Sequence, residues 1–407
     1  MSTPRLRRFV VALALFGLAA SAAPAAASNR PGYAGAGDWT MYADGAAHND
    51  VNRSEQALSP ATVAGLHLAQ TYTKWQPNEE QASPYQIVVG NMGYSVYTAP
   101  YSLIGLIMAF HLPAGTVAWH RVIAKNGDDW LYVPAVSNGR LYVGGADAMF
   151  AFDAVTGAPL WTTTVAPTNV APGPEFNPVT VSGTTVYGST YTTGWIYAFS
   201  AARGKILWKV KPAAEIIGPV SVSGGLVYVA GAFTDVALGH LRAYNATTGA
   251  LVFTSAASTF GDSVAVSNGL AFVQDDTYLE AFNATTGALV WKATTEPGAT
   301  SGNSSRTPAV DGATVVVSGN QHVEAFAAAT GARLWSYDSG SSSTYYRQPA
   351  LANGVVYVAA DTKGLQALSE ATGAVLYQSP QQGCDSPIVS HSAVYVTCNG
   401  HVVTFTL

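Results

Sequence analysis

Residues 151–161 read Ala151-Phe152-Asp153-Ala154-Val155-Thr156-Gly157-Ala158-Pro159-Leu160-Trp161, and this phrase decides the fold because it returns throughout the chain. Its core is Ala-Gly-Thr-Val-Ala-Trp at 114–119, Thr-Gly-Ala-Pro-Leu-Trp at 156–161 and Arg-Gly-Lys-Ile-Leu-Trp at 203–208. It continues as Thr-Gly-Ala-Leu-Val-Phe at 248–253, Thr-Gly-Ala-Leu-Val-Trp at 286–291, Thr-Gly-Ala-Arg-Leu-Trp at 330–335 and Thr-Gly-Ala-Val-Leu-Tyr at 372–377. The glycines are spaced by 42, 47, 45, 38, 44 and 42 residues, and an aromatic follows each one four positions later. Self-similarity at this period is the signature of a repeat architecture.

Four short strands fit within one period. Residues 131–137 alternate, Asn138-Gly139 turns, 140–144 returns, a loop at Ala146-Asp147 leads to 149–153, and Thr156-Gly157 turns the chain into 159–164. Asn-Gly between apolar alternations is a two-residue hairpin signal, since both positions need positive φ. The turn recurs at Asn268-Gly269 and Asn353-Gly354. Asp153, Asn245 and Asn283 stand where a side chain can hydrogen-bond the turn backbone, a reading that also accounts for the Asn-Ala-Thr triplets without glycosylation. Four strands per period of about 43 residues describe a propeller blade.

Seven units end at Trp119, Trp161, Trp208, Phe253, Trp291, Trp335 and Tyr377. These rings are expected to dock on the neighbouring blade. Residues 384–407 supply three more strands, and 65–73 is the expected fourth. The fold class is therefore all-β: an eight-bladed β-propeller of four-stranded antiparallel blades, closed by an N-terminal strand. The expected division is a signal peptide at 1–27, a leader at 28–64 and the propeller at 65–407. Placing the last hairpin turn at His391-Ser392 sets Cys384 and Cys398 opposite one another, so a disulfide is expected.

Composition agrees. Only 11% of the 407 residues are charged, and 48% are hydrophobic, which excludes coiled coils and disordered chains. A net charge of −5 with 19 Lys and Arg provides no footprint for nucleic acid. Arg5, Arg7 and Arg8 precede an apolar run from Phe9 to Ala20, and Ala25-Ala26-Ala27 offers a cleavage site. That is an export signal, too short to span a bilayer, so a secreted or periplasmic protein without a membrane span is expected.

The repeat resembles the tryptophan-docking repeat of pyrroloquinoline-quinone (PQQ) dehydrogenases and their non-enzymatic relatives. The leader is similar too, with Asp38-Trp39-Thr40-Met41-Tyr42, Asp44, His48 and Asn52, then Leu58-Ser59-Pro60. The resemblance covers about 38–407. It implies, for the enzymes, a quinone at the ring axis beside calcium held by Glu, Asn and Asp, often with an adjacent Cys-Cys ring. This chain has no Cys-Cys pair and no haem-attachment motif. A related non-enzymatic scaffold is the propeller lipoprotein of the outer-membrane β-barrel assembly machinery, where strand addition to blade edges is an expected binding mode. No lipid-attachment Cys stands near residue 27.

The hairpin turns share one face, and sequence varies on the other. There the loops into the first strands carry Glu175, Asn177, Asp262, Arg306, Arg347 and Asp385, candidate residues at the axial mouth for a cation or polar ligand. The bland reading is an acidic, ion-paired rim. The loops between second and third strands add Asp147, Trp195, His322, Asp361, Lys363 and His401, and Trp130 with Trp195 offer stacking surfaces for a sugar. No motif carries chemistry by itself. The expected function is that of an exported, non-catalytic, monomeric scaffold, binding a protein, peptide or extracellular ligand on its loop face and needing no cofactor. The alternative is a PQQ- and calcium-dependent dehydrogenase of an alcohol or sugar.

Overall fold

Asn138 and Gly139 both take positive φ, 51° and 72°, and fold Ala135–Ser137 onto Arg140–Gly144 with Ser137 facing Arg140. The sheet grows outward through Ala148–Asp153 to Pro159–Thr164, and this unit is one blade. The computed structural model describes residues 34–72, 81–82, 86–99, 104–124, 131–145, 147–165, 175–191, 193–212, 217–231, 239–259, 261, 263–275, 277–296 and 307–407. The expected signal peptide lies outside these. Eight such sheets form the ring, with inner strands at Ile87–Val89, Ala135–Ser137, Thr180–Ser182, Ser221–Ser223, Val264–Ser267, Ala309–Asp311, Ala350–Ala352 and Ile388–Ser390. They are numbered blades 1 to 8 in that order.

Blade 8 joins the two ends of the chain. Its inner strand Ile388–Ser390, second strand Ala393–Cys398 and third strand His401–Thr406 come from the C-terminus, and His67–Tyr72 supplies the outermost strand, with His67 opposite Thr406. The closing strand starts two residues later than expected because Val63–Gly65 is a single 3₁₀ turn. Cys384 and Cys398 are bonded, with their Cα atoms 3.9 Å apart across the first hairpin of blade 8.

Blade-to-blade contact repeats one device. The Trp119 ring lies against Gly157 of the next blade's Thr-Gly turn, where a Cβ atom would sit 2.5 Å from the ring. Its Nε1 donates to the Ala154 carbonyl at 2.9 Å, and Tyr94 Oη donates to the same oxygen at 3.1 Å. Trp161 with Tyr142 and Trp208 with Tyr187 treat Ala201 and Ala246 alike. Trp291 reaches Ala328 at 2.9 Å and Trp335 reaches Glu370 at 2.7 Å. Phe253, without an N–H, still covers Gly287, and Tyr377 meets Phe405 edge-on at 6.3 Å. Asp153 Oδ1 holds the turn beneath by accepting from Thr156 N at 2.8 Å, and Asn245 and Asn283 do the same for their own turns.

Two stability measurements follow. Gly331 has φ 71°, and a Cβ there would lie 2.6 Å from the Trp291 ring. Gly331→Ala combines left-handed strain with ring displacement, so denaturant unfolding should show a loss of at least about 2 kcal/mol, whereas Gly269→Ala, with φ 77° and open space, loses only the backbone share of roughly 1–2 kcal/mol. The disulfide closes a separation of 14 residues, and reduction or Cys384→Ser with Cys398→Ser should cost up to about 3 kcal/mol by the same measurement.

Candidate functional site

The inner strands are short, and in six of the eight blades a backbone N–H near the middle of the strand turns toward the ring axis. The leader answers them. Trp39 exchanges two backbone bonds with Val88 of blade 1, and Val136 of blade 2 donates to the Thr40 carbonyl at 2.8 Å. Val222, Val266, Val310 and Leu351, from blades 4 to 7, donate to the carbonyls of Ala46, Ala47, Asn49 and Asp50 at 2.6–2.9 Å. In blade 3, Thr180 Oγ1 lies 2.8 Å from His48 Nε2, and in blade 8, Val389 O accepts from Asn52 Nδ2 at 2.9 Å. Residues 39–52 thus bond to all eight blades and plug the axis. Serving strands around a full circle requires a tight coil, and Ala43, Asp44, His48 and Asp50 all have positive φ.

The chain enters and leaves the axis across the turn face, while Tyr42 and Asp50 reach the loop end, where Thr307 Oγ1 and Gln348 Nε2 donate to them. Arg53 pairs with Asp311 at 3.4 Å, Glu55 Oε2 accepts from Ser392 N, and Asn353 Nδ2 donates to the Gln56 and Leu58 carbonyls. Asp38 accepts from Gly90 N and is hydrogen-bonded by His391.

Burial sets the charge states of the plug. It pushes His48 down to about 3, so the ring is neutral and sits between two hydroxyls, Thr180 Oγ1 at 2.8 Å from Nε2 and Ser221 Oγ at 3.1 Å from Nδ1, which themselves donate to the Val220 and Val264 carbonyls. Burial pushes Asp44 up to about 7, opposed by a backbone bond at Thr40. It also raises Asp50 well above the usual carboxylate range, against the Gln348 amide that donates to both its oxygens at 2.7 and 2.8 Å. Beside this pair, Trp39, Tyr42, Gln86 and Ser386 enclose a cavity with room for about one water.

Four of the six candidate mouth residues, Glu175, Asn177, Arg347 and Asp385, are among the described residues. Asn177 is buried and clamps blade 3 to blade 4, its Nδ2 donating to Ser189 Oγ at 3.0 Å and the Ile217 carbonyl at 2.8 Å. Arg347 Nε lies 3.7 Å from Asp385 Oδ2, and Nη2 lies 3.4 Å from Asp361 Oδ1. Burial raises the Asp385 carboxyl, with the Arg347 charge opposing. Glu175 sits half-buried with φ 39°. Asp262, Arg306 and Trp130 lie outside the described residues. Trp195 is not an open platform: it packs on the core between blades 2 and 3, and Lys209 Nζ covers its ring at 4.9 Å.

A PQQ–calcium pair needs converging oxygen ligands. Among the described residues no three His, Cys, Asp or Glu side chains gather as metal ligands do. Sequence reasoning left open whether the leader at 28–64 plugs the channel or wraps the outside, and it missed Glu280 and Glu324, which are buried on third strands. Both stand just before the Ala-Phe of the repeat, where Met108 and Phe150 stand in blades 1 and 2, so aligning the repeats would have exposed them.

Fold and repeats define a propeller of the PQQ-like class. A family model described as outer membrane protein assembly factor BamB matches residues 104–193, 192–320 and 319–406, and the chain belongs to that family. Among solved structures, BamB from Moraxella catarrhalis is similar at 18% identity, covering 84% of this chain and 98% of that one, with a TM-score of 0.61. A europium-containing methanol dehydrogenase is similar at 14% identity, covering 92% and 98%, with a TM-score of 0.72. The quinohemoprotein alcohol dehydrogenase of Comamonas testosteroni reaches 14% identity over 94% and 81%, with a TM-score of 0.68. At these identities the likeness concerns the fold. A search of curated sequences found no match. Among the described residues no helix is long and apolar enough to cross a membrane.

The plug makes stability depend on pH. A carboxyl raised on folding binds its proton more tightly in the folded state, so stability is full below the unfolded value of 3.8 and falls as pH rises towards about 7 for Asp44. Asp44→Asn keeps a residue that tolerates φ 38° and removes that ionisation. Melting temperatures taken across this range should fall for the parent protein and stay flatter for the variant, which should be the more stable of the two at pH 8.

Proposed function

We propose that the protein is an exported, non-catalytic propeller that recognises a protein or peptide through its loop face. The carrying observation is the leader, which occupies the axis and spreads across the turn face, leaving recognition to the opposite side. Membership of a family described by an assembly factor supports the reading, as does the tying of Asn177, Arg347 and Asp385 into the scaffold rather than into a ligand set. Asp361 and Lys363, on the blade 7 loop, carry charge at that face. Such loops, held by a rigid ring, are where recognition concentrates.

The test has two arms. Titration with PQQ and calcium, followed by quinone absorbance and dye reduction with alcohols and sugars, should show neither saturable binding nor turnover; turnover would establish the dehydrogenase instead. A photo-crosslinker placed at Lys363 should capture the same partner as one at Asp361, while a crosslinker at Asn138 on the turn face should not. Equal capture from both faces would sink the loop-face reading.

A further inference from the structure

Between blades 5 and 6 a second small cavity opens at the loop face. Gln274, which ends the strand Leu270–Gln274, and Thr295, which follows Leu289–Thr294, line one wall. His322 and Glu324, from the third strand His322–Ala327 of blade 6, line the other. The turn before His322 is fixed: Gln321 has φ 67°, its amide N donates to the Thr344 carbonyl, and its Nε2 donates to Asp338 Oδ1, both at 2.7 Å. Gln274 Nε2 donates to the Ser318 carbonyl at 2.8 Å, which settles the orientation of that amide.

Three buried polar atoms on residues that line this cavity have no hydrogen-bond partner among the described residues: Gln274 Oε1, Thr295 Oγ1 and His322 Nδ1. Thr295 is only 5% exposed. All three can accept, His322 in its Nε2–H tautomer. The charge around them is negative. Arg333 Nε lies 2.9 Å from Glu324 Oε1, and the same guanidinium also pairs with Glu296, so one cation faces two carboxylates.

We propose that this cavity binds a primary ammonium group, presented by a lysine side chain of the partner; the inference rests on the scaffold reading above. An ammonium has three N–H donors and no acceptor, which matches three unmet acceptors beside an excess carboxylate. The volume admits about one water-sized group, which suits a terminal nitrogen and is too narrow for the planar fork of arginine. A transition metal is served poorly, because His322 is a single imidazole and Glu324 is already held by Arg333 and by the Glu296 amide. Since the cavity takes only the nitrogen, the rest of the ligand must lie along the loop face, as a lysine stem on a folded partner does.

The probe is Nα-acetyl-lysine methylamide, titrated into the full-length mature protein while NMR follows the His322 ring and the Gln274 side-chain amide. Both signals should shift saturably. The Nε-trimethylated probe, equal in charge but without N–H donors, should move neither. Gln274→Met and Thr295→Val, each close to isosteric, should weaken binding at least about tenfold, with melting temperatures reporting that both variants fold. No saturable shift up to about 100 mM, or equal binding of the trimethylated probe, would overturn the proposal. A response to methylammonium alone would overturn lysine as its source. The titration needs no partner, so its failure is distinct from failure of the crosslinking that tests the scaffold reading.

Discussion

One contact organises the molecule: an aromatic ring from one blade laid on a glycine of the next, with the indole N–H and a tyrosine hydroxyl sharing a single carbonyl. Every part depends on another. The ring fits only because the glycine lacks a Cβ atom, and the glycine is tolerated because the turn requires positive φ. The carbonyl accepts twice because it has two lone pairs, and it belongs to the residue after the Asp or Asn that ties the same turn. Turn formation within one blade therefore builds the surface on which the preceding blade docks. Repeat proteins of this kind gain stability from nearest-neighbour interfaces, and a closed ring has no end repeat to cap.

The leader meets the opposite need. Eight inner strands would otherwise present a circle of edges to the axis, and exposed strand edges invite unwanted pairing. Residues 39–52 cover them, and their irregular backbone follows from that task. A helix directs its carbonyls along its own axis, and a regular strand bonds to at most two neighbours. Only a coil with several left-handed residues can distribute acceptors around a circle, which accounts for the positive φ at Ala43, Asp44, His48 and Asp50. Such residues carry strain, and the bonds from the surrounding blades hold them in place. The same segment then continues to His67–Tyr72 and closes blade 8, so axis and perimeter are sealed by neighbouring lengths of chain.

Much of this was legible in the sequence. Asn138-Gly139 and Thr156-Gly157 announce their turns because few residues accept positive φ, and the fixed spacing to Trp161 marks the docking ring. The closing strand and the Cys384–Cys398 pair followed from counting strands. The route of the leader was not legible. It is held through backbone carbonyls, which every residue possesses, so no pattern of side chains distinguishes an axial plug from an outer strap. The site was legible only as a face. The sequence leaves Arg347 and Asp385 readable as mouth ligands or as part of an ion-paired rim, and adjacent loops bring them together as the ion pair, a contact set by distances across blades rather than by residue type.

The third-strand position before the repeat's Ala-Phe shows how one backbone can carry different chemistry. It holds Met108, Phe150 and Tyr197 in blades 1 to 3, then Arg242, Glu280, Glu324 and Gln366 in blades 4 to 7. The strand registers are alike, so the fold does not dictate the change. A buried charge costs stability unless paired, and both carboxylates have their pairs, Lys292 with Glu280 at 2.8 Å and Arg333 with Glu324, while Tyr346 donates to Gln366 at 2.6 Å. An apolar residue would serve packing at lower cost, as blades 1 and 2 demonstrate. The polar half of the ring is thus free of any structural requirement to be polar. At the blade 5–6 junction that polarity reaches the loop face, and there it leaves acceptors unmet by the protein itself.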